Sequence, residues 1–296
     1  MSRAGENRIP ERLLGKTGVS LPIIGFGTAA AGTRLGLREA VRLYEEALEQ
    51  GITYFDTAPG FAGYGLAQQQ LGYVLKERRK EIFLVTKCFE PNGDAALKLL
   101  ERNLRELQTD YTDLVFVHSL GADKMDPRVV FSRRGVYPAL IKAKAQGLTR
   151  FVGFSGHNRP GRFLEAITHV DVDVLLNAVN FVDRHTYNFE EHVWPVASRR
   201  SIGLLAMKVY GGQLRGRSWL SHSMIPASHM DAAFRYALGQ PNVASAAIGM
   251  ATRKELHDNV QRAKRFTPLD RAEAARLVQL GTSMAHQWGA HLGVVG

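Results

Sequence analysis

Three chemically capable side chains stand where apolar runs end. Asp56 closes ITYFDT (52–57), Lys87 closes IFLVTK (82–87) and His118 closes DLVFVH (113–118). Two aromatics, Phe61 and Tyr64, follow Asp56 closely, and only the second carries a hydroxyl. A buried lysine ammonium paired to a carboxylate can hold a neighbouring tyrosine at a lowered pKa, because positive charge favours phenolate. Such a tyrosine can give a proton to a carbonyl oxygen and take it back in the reverse direction. A histidine nearby can orient and polarise the same oxygen. Hydride must come from a cofactor, since no side chain supplies one. Taken singly, Asp56 could cap a loop, His118 could be a core histidine and Lys87 could face solvent. On successive strands, the three are better explained by one shared site.

What would position them is a regular alternation. Short apolar runs recur at 23–27, 52–57, 82–87, 113–118, 150–155, 174–180, 202–208 and 243–249, separated by amphipathic segments. In LREAVRLYEEALEQG, Ala40, Leu43, Tyr44, Ala47 and Leu48 repeat at helical spacing and Gly51 ends the helix. The runs are nearly continuous in apolar character, as in a parallel sheet covered by helices. Eight such units and a late helix near 268–285 predict an α/β fold, a single (β/α)8 TIM barrel spanning residues 1–296. RLLGKTGVSLP reads as an N-terminal hairpin closing the bottom. Active sites of such barrels lie at the C-terminal strand ends, where Gly27-Thr28, Asp56, Lys87, His118, Ser155, Asn177 and Asn180, Lys208 and Gly249 fall. IIGFGTAA carries G-x-G-x-x-A after a strand, but AAAGTRLG delays the helix that a dinucleotide fingerprint needs. Gly25 and Gly27 therefore read as close-packing positions.

Bulk properties exclude several classes. The chain has 296 residues, 45% hydrophobic and 22% charged, with no apolar run long enough to span a membrane. A single cysteine, Cys88, permits no internal disulfide, and no apolar signal segment opens the chain, so a cytoplasmic protein is expected. The formal net charge of +10 is dispersed in short groups such as Arg78-Arg79-Lys80 and Arg199-Arg200, without interleaved aromatics. That reads as a solvated surface and not as a nucleic-acid face, with an anionic small ligand as the middle case. The ten histidines are scattered, so no metal is expected.

YFDTA (54–58), FLVTK (83–87), YTDLVFVHS (111–119), FVGFSGH (151–157) and GMATRKELHDN (249–259) resemble, in order, the strand motifs of the aldo-keto reductases. The resemblance runs from about Leu13 to Asn259. It implies a nicotinamide cofactor, usually NADPH, lying across the barrel mouth, and an Asp-Tyr-Lys-His tetrad. Asp56, Lys87 and His118 match that tetrad directly. The family's tyrosine usually comes five residues after the aspartate, which is Phe61 here. Counting back from the next helix, YGLAQQQLG makes Tyr64 the match, with the loop PGFAG about three residues longer. Tyr64 is taken as the proton donor.

On the cofactor side, the resemblance implies Ser155 on the nicotinamide amide, although Gly156-His157 stands where the family often has Asn after that serine. It assigns Asn177, or Asn180 with a slide, to the strand-6 amide. Met207 stands where a tyrosine often stacks on the nicotinamide ring, and a thioether can pack on an aromatic face. Gly27 and Thr28 edge the mouth, and Lys208 with Gly211-Gly212 suits a pyrophosphate. Thr252 and Glu255 make a capping-box pattern, so the last motif opens a helix whose N–H groups could face a phosphate. Arg253 and Lys254 would take the 2′-phosphate of NADPH and Asn259 the adenine, whereas Glu255 replaces a frequent arginine.

The expected function is reversible reduction of a small aldehyde or ketone. If Phe61 fills the tyrosine position, the alternative is a cofactor-binding regulatory protein with weak turnover. A Schiff-base lyase using Lys87 or Lys208 would explain the lysines but not the tail motif. Loops 119–135 and 210–230 and the tail 281–296 would shape the substrate site, with Phe26, Trp219 and Trp288 as an apolar wall.

Overall fold

The computed structural model describes residues 8–212 and 223–296. Two short strands, β1 (Glu11–Leu13) and β2 (Ser20–Pro22), pair antiparallel as the expected hairpin. Then come β3 (Ile24–Gly27), β4 (Tyr54–Asp56), β5 (Phe83–Cys88) and β6 (Thr112–Val117). They are followed by β7 (Thr149–Gly156), β8 (Val174–Ala178), β9 (Gly203–Met207) and β10 (Val243–Gly249). Among the described residues, β3 to β10 pair in sequence and β10 returns to β3, closing a parallel barrel. The helix Leu37–Glu49 buries Ala40, Leu43, Tyr44, Ala47 and Leu48, the expected stripe, and Gly51 follows at φ 93°. The late helix runs Arg271–Trp288 and is capped by Asp270.

Strand side chains alternate between two layers. Tyr54, Phe83, Val85, Leu114, Phe116 and Leu176 fill the barrel interior, with Leu14 and Leu21 of the hairpin region closing it from below. Phe26, Phe55, Leu84, Val115 and Val117 face the helices instead. Phe26 stacks on Phe55 at 5.6 Å and meets Tyr44 edge-on at 5.1 Å, so it belongs to the outer core and not to a substrate wall. The inward phase changes character near the strand ends: Tyr54 is followed by Asp56, Val85 by Lys87 and Phe116 by His118. Two residues along each strand thus separate a dry core from polar chemistry.

Gly25 is a close-packing position, since a Cβ there would run into the Tyr54 ring. The segment AAAGTRLG departs from expectation, because residues Ala29–Arg34 form a short helix. Three consecutive alanines favour that state. We expect Gly25→Ala to lower stability by about 1–3 kcal/mol, as overpacking does. A chemical-denaturation midpoint equal to wild type would refute that packing argument.

Candidate active site

At the C-terminal rim Lys87, 1% exposed, donates from Nζ to Asp56 Oδ1 at 2.5 Å and to the Thr57 carbonyl at 2.9 Å. It also donates to the Tyr64 hydroxyl at 3.1 Å, and that hydroxyl donates to Asp56 Oδ1 at 3.3 Å. Tyr64 therefore stands in the site, while Phe61 is 57% exposed. The loop reaches this arrangement through a 3-10 turn at Gly60–Ala62 and through Gly63 and Gly65, at φ 88° and 54°. The Leu66 N–H donates to the Gly32 carbonyl at 2.9 Å and anchors the loop's far end.

A cavity of about 280 Å³ opens beside these groups. Gly27, Asp56, Tyr64, Lys87, His118, Ser155, Met207 and Lys208 line it, all named from the sequence. His157, Tyr210 and Gly212 line it too. His118 packs edge-on against Phe89 at 5.4 Å, and its Nδ1 is buried without a partner among the described residues. The Ser155 hydroxyl and Asp56 Oδ2 are likewise buried and unpartnered there. Buried polar atoms are rarely left so unless something else pairs with them. The orphaned Ser155 hydroxyl and the Met207 thioether fit one amide-bearing aromatic ring, so the residues present suit a nicotinamide.

Electrostatics correct one expectation. Burial first, then the Asp56 carboxylate, push the Tyr64 phenol well above its ordinary range. The predicted lowering fails because Asp56 already neutralises Lys87 and adds its own negative field. Burial also lowers the Lys87 ammonium, with Asp56 opposing. His118 lies well below the usual imidazole range through burial and the neighbouring Lys87, so it is neutral near pH 7. Lys208, left-handed at φ 56°, is lowered by burial, with Asp183 opposing and Lys87 adding to the effect.

Other assignments are not brought to the cavity. Thr28 is fully buried and donates its hydroxyl to the Asp56 carbonyl at 3.1 Å, so it braces the strand end. Asn177 falls in the outward phase between Leu176 and Ala178, where it accepts from Trp194 Nε1 at 3.1 Å and donates to the Gly156 carbonyl at 3.4 Å. Asn180 bonds Asp183 at 2.6 Å and the Lys208 carbonyl at 3.0 Å. Gly211, at φ 88°, leaves room for the Trp288 ring, which does not border the cavity. Trp219 lies outside the described residues.

The last motif opens the helix Arg253–Lys264 with the expected capping box: Thr252 Oγ1 accepts from the Glu255 N–H at 3.1 Å, and Glu255 Oε2 accepts from the Thr252 N–H at 3.1 Å. Arg253 turns to Glu46 at 2.7 Å and Lys254 to Asp258 at 2.7 Å. Asn259 accepts from the Tyr210 hydroxyl at 2.7 Å. Reasoning from sequence missed His157 and Tyr210. His157 was legible, because it lies two residues past Ser155 and so continues its inward phase.

Comparison with known proteins agrees with this architecture. The solved holo form of an aldo-keto reductase from Bacillus halodurans superposes with a TM-score of 0.74 at 25% identity, covering 93% of this chain and 96% of that one. An uncharacterised oxidoreductase of Bacillus subtilis (strain 168) is 25% identical over 289 residues, covering 86% and 90% of the two chains. L-galactose dehydrogenase of Arabidopsis thaliana is 33% identical over 161 residues; that match spans 50% of this chain and only 49% of the relative. The model of the Aldo/keto reductase family matches residues 23–231, from the start of the barrel past β9. On these grounds, together with the order of its strand-end residues, the chain belongs to the aldo/keto reductase family.

Proposed function

We propose that the chain is a nicotinamide-dependent oxidoreductase that converts an aldehyde or ketone to an alcohol and can run in reverse. The observation that carries this reading is the Tyr64 hydroxyl held between Lys87 at 3.1 Å and Asp56 at 3.3 Å at the cavity wall. A nicotinamide dinucleotide bound against Ser155 and Met207 would supply hydride. Tyr64, kept as neutral phenol, gives its proton to the carbonyl oxygen. Lys87 then stabilises the phenolate left behind, and Asp56 keeps the lysine charged. A neutral His118 carries one N–H donor for the same oxygen. Removal of the Tyr64 hydroxyl tests the assignment: Tyr64→Phe should lower kcat by about 10²–10⁴, the range of general acid catalysis. Cofactor affinity should change little, as read by quenching of protein fluorescence. Wild-type turnover in that variant would sink the role of Tyr64.

The pH dependence has a definite sign. A phenol raised above its ordinary range stays protonated through the alkaline region, so the proton donor persists there. His118, lowered well below its ordinary range, stays neutral through the same interval. Carbonyl reduction should therefore be nearly flat from about pH 6 to 9, while alcohol oxidation, which needs phenolate, rises with pH across that range. An inflection in reduction near pH 6.5 that His118→Asn abolishes would contradict a neutral His118.

NADPH is the proposed cofactor. Arg253 and Lys254 must leave Glu46 and Asp258 to reach a 2′-phosphate, but their side chains are 83% and 84% exposed. Exposed ion pairs of this kind are worth about 0–1 kcal/mol, so exchange is cheap. Replacing both residues with alanine should weaken NADPH about tenfold or more, through the loss of two charge-assisted contacts. NADH affinity should move less than about twofold, since it lacks the phosphate. Equal effects on both dinucleotides in fluorescence titrations would remove this assignment.

A further inference from the structure

The cavity beside Tyr64 is bordered on one side by His157. That imidazole also lines a second cavity of about 280 Å³, bounded by Phe89, Ser119, Asp123, Arg159 and residues 292–294. His157 is therefore the side chain shared by the reacting site and the space next to it. Among the described residues neither of its ring nitrogens has a hydrogen-bond partner. Burial, helped by Lys208, Lys87 and His291, lowers its pKa to about 3, so near neutrality it offers one donor and one acceptor.

The second cavity sets a charge-balanced polar side, with Asp123, Asn158 and Arg159, against apolar Ala122, Leu292 and Val294. Arg159 Nη1 pairs with Asp123 at 2.5 Å and donates to the Gly121 carbonyl at 2.7 Å. Asn158 Nδ2 holds the Val294 carbonyl at 3.0 Å and so fixes residues 292–294 as part of the wall. Phe89, which packs on His118, supplies one apolar side. An anionic substrate would have to displace Asp123 from Arg159. An alkyl chain would cover the His157 ring nitrogens without satisfying them, which is costly. Hydroxyl groups both donate and accept, and so match an imidazole followed by an ion pair.

We infer that His157 is a specificity-determining residue that binds the hydroxyl next to the reacting carbonyl, selecting neutral, polyhydroxylated aldehydes or ketones that extend into the second cavity. This rests on the reductase reading above for its reaction but not for its binding geometry. The test compares kcat/KM for glyceraldehyde and erythrose with propanal and butanal in wild type, His157→Leu, His157→Asn and His157→Gln. Comparing variants on the same aldehydes cancels differences in their hydration. The hydroxyaldehyde-to-alkyl ratio should favour hydroxyaldehydes in wild type and fall at least tenfold in His157→Leu, chiefly through KM. One of the two amide variants should recover most of it. A ratio unmoved by His157→Leu, or a wild-type preference for the alkyl series, overturns the inference.

Binding of erythrose and butanal to the Tyr64→Phe protein with bound cofactor, with and without His157→Leu, gives the same comparison without turnover. Erythrose binding that depends on His157, together with a wild type that turns over neither series, would support this inference and sink the reductase reading. Binding indifferent to His157 would overturn the inference whatever the turnover.

Discussion

The site depends on one buried ion pair. Removing a lysine ammonium and a carboxylate from water costs several kcal/mol per ion, and geometry must repay it. Here the ammonium's three donors go to Asp56 Oδ1, the Thr57 carbonyl and the Tyr64 hydroxyl, so its hydrogen-bonding capacity is used. The three acceptors lie on one stretch of chain, β4 and the loop after it. Lys87 on β5 therefore fixes the course of its neighbour's loop as well as the charge of the site. Deleting either partner would leave an uncompensated buried charge, so fold and chemistry share this constraint at the rim.

The barrel makes the pair tolerable by keeping it at the end of an apolar column. Below the polar layer lie Tyr54, Val85 and Phe116, closed off by Leu14 and Leu21. The low-dielectric floor explains why burial leads among the causes that move Tyr64, Lys87, His118 and His157. It also explains the sign at Tyr64. A nearby cation alone would favour phenolate, but a cation already paired with a carboxylate over a dry floor does not.

Much of this was legible because a strand has a period of two. Asp56, Lys87, His118 and Ser155 could be read from strand ends, since each continues an inward apolar series. The same count places Asn177 outward, beside Leu176, where its amide meets Trp194 and the Gly156 carbonyl. His157 was available in the same way. The partners of long surface cations are harder. Lys254 and Asp258 are four apart on a helix, a spacing that pairs opposite charges. Arg253 and Glu46 meet only because the barrel closes β10 onto β3 and brings distant helices together. No local pattern carries that contact. The sign of the Tyr64 shift was hidden for a similar reason, since it depends on how deeply the fold buries the pair.

The placement of Tyr64 shows what the sequence constrains. Counted from Asp56, the hydroxyl comes about three residues later than the family's usual spacing, and a fixed offset selects Phe61 instead. The chain absorbs the difference in a turn at Gly60–Ala62 that leaves Phe61 exposed, then crosses two left-handed glycines before the anchor at Gly32. A Cβ at Gly65 would meet the Gly32 carbonyl oxygen, so glycine there allows the loop to close against the short helix. Both ends of the loop are fixed, one by the Lys87–Thr57 hydrogen bond and the other by Leu66. Between fixed ends, length can vary while the end point of the side chain does not. The helix-side count succeeds because Tyr64 lies only two residues from the Leu66 anchor and eight from Asp56, so the shorter tether is the better ruler.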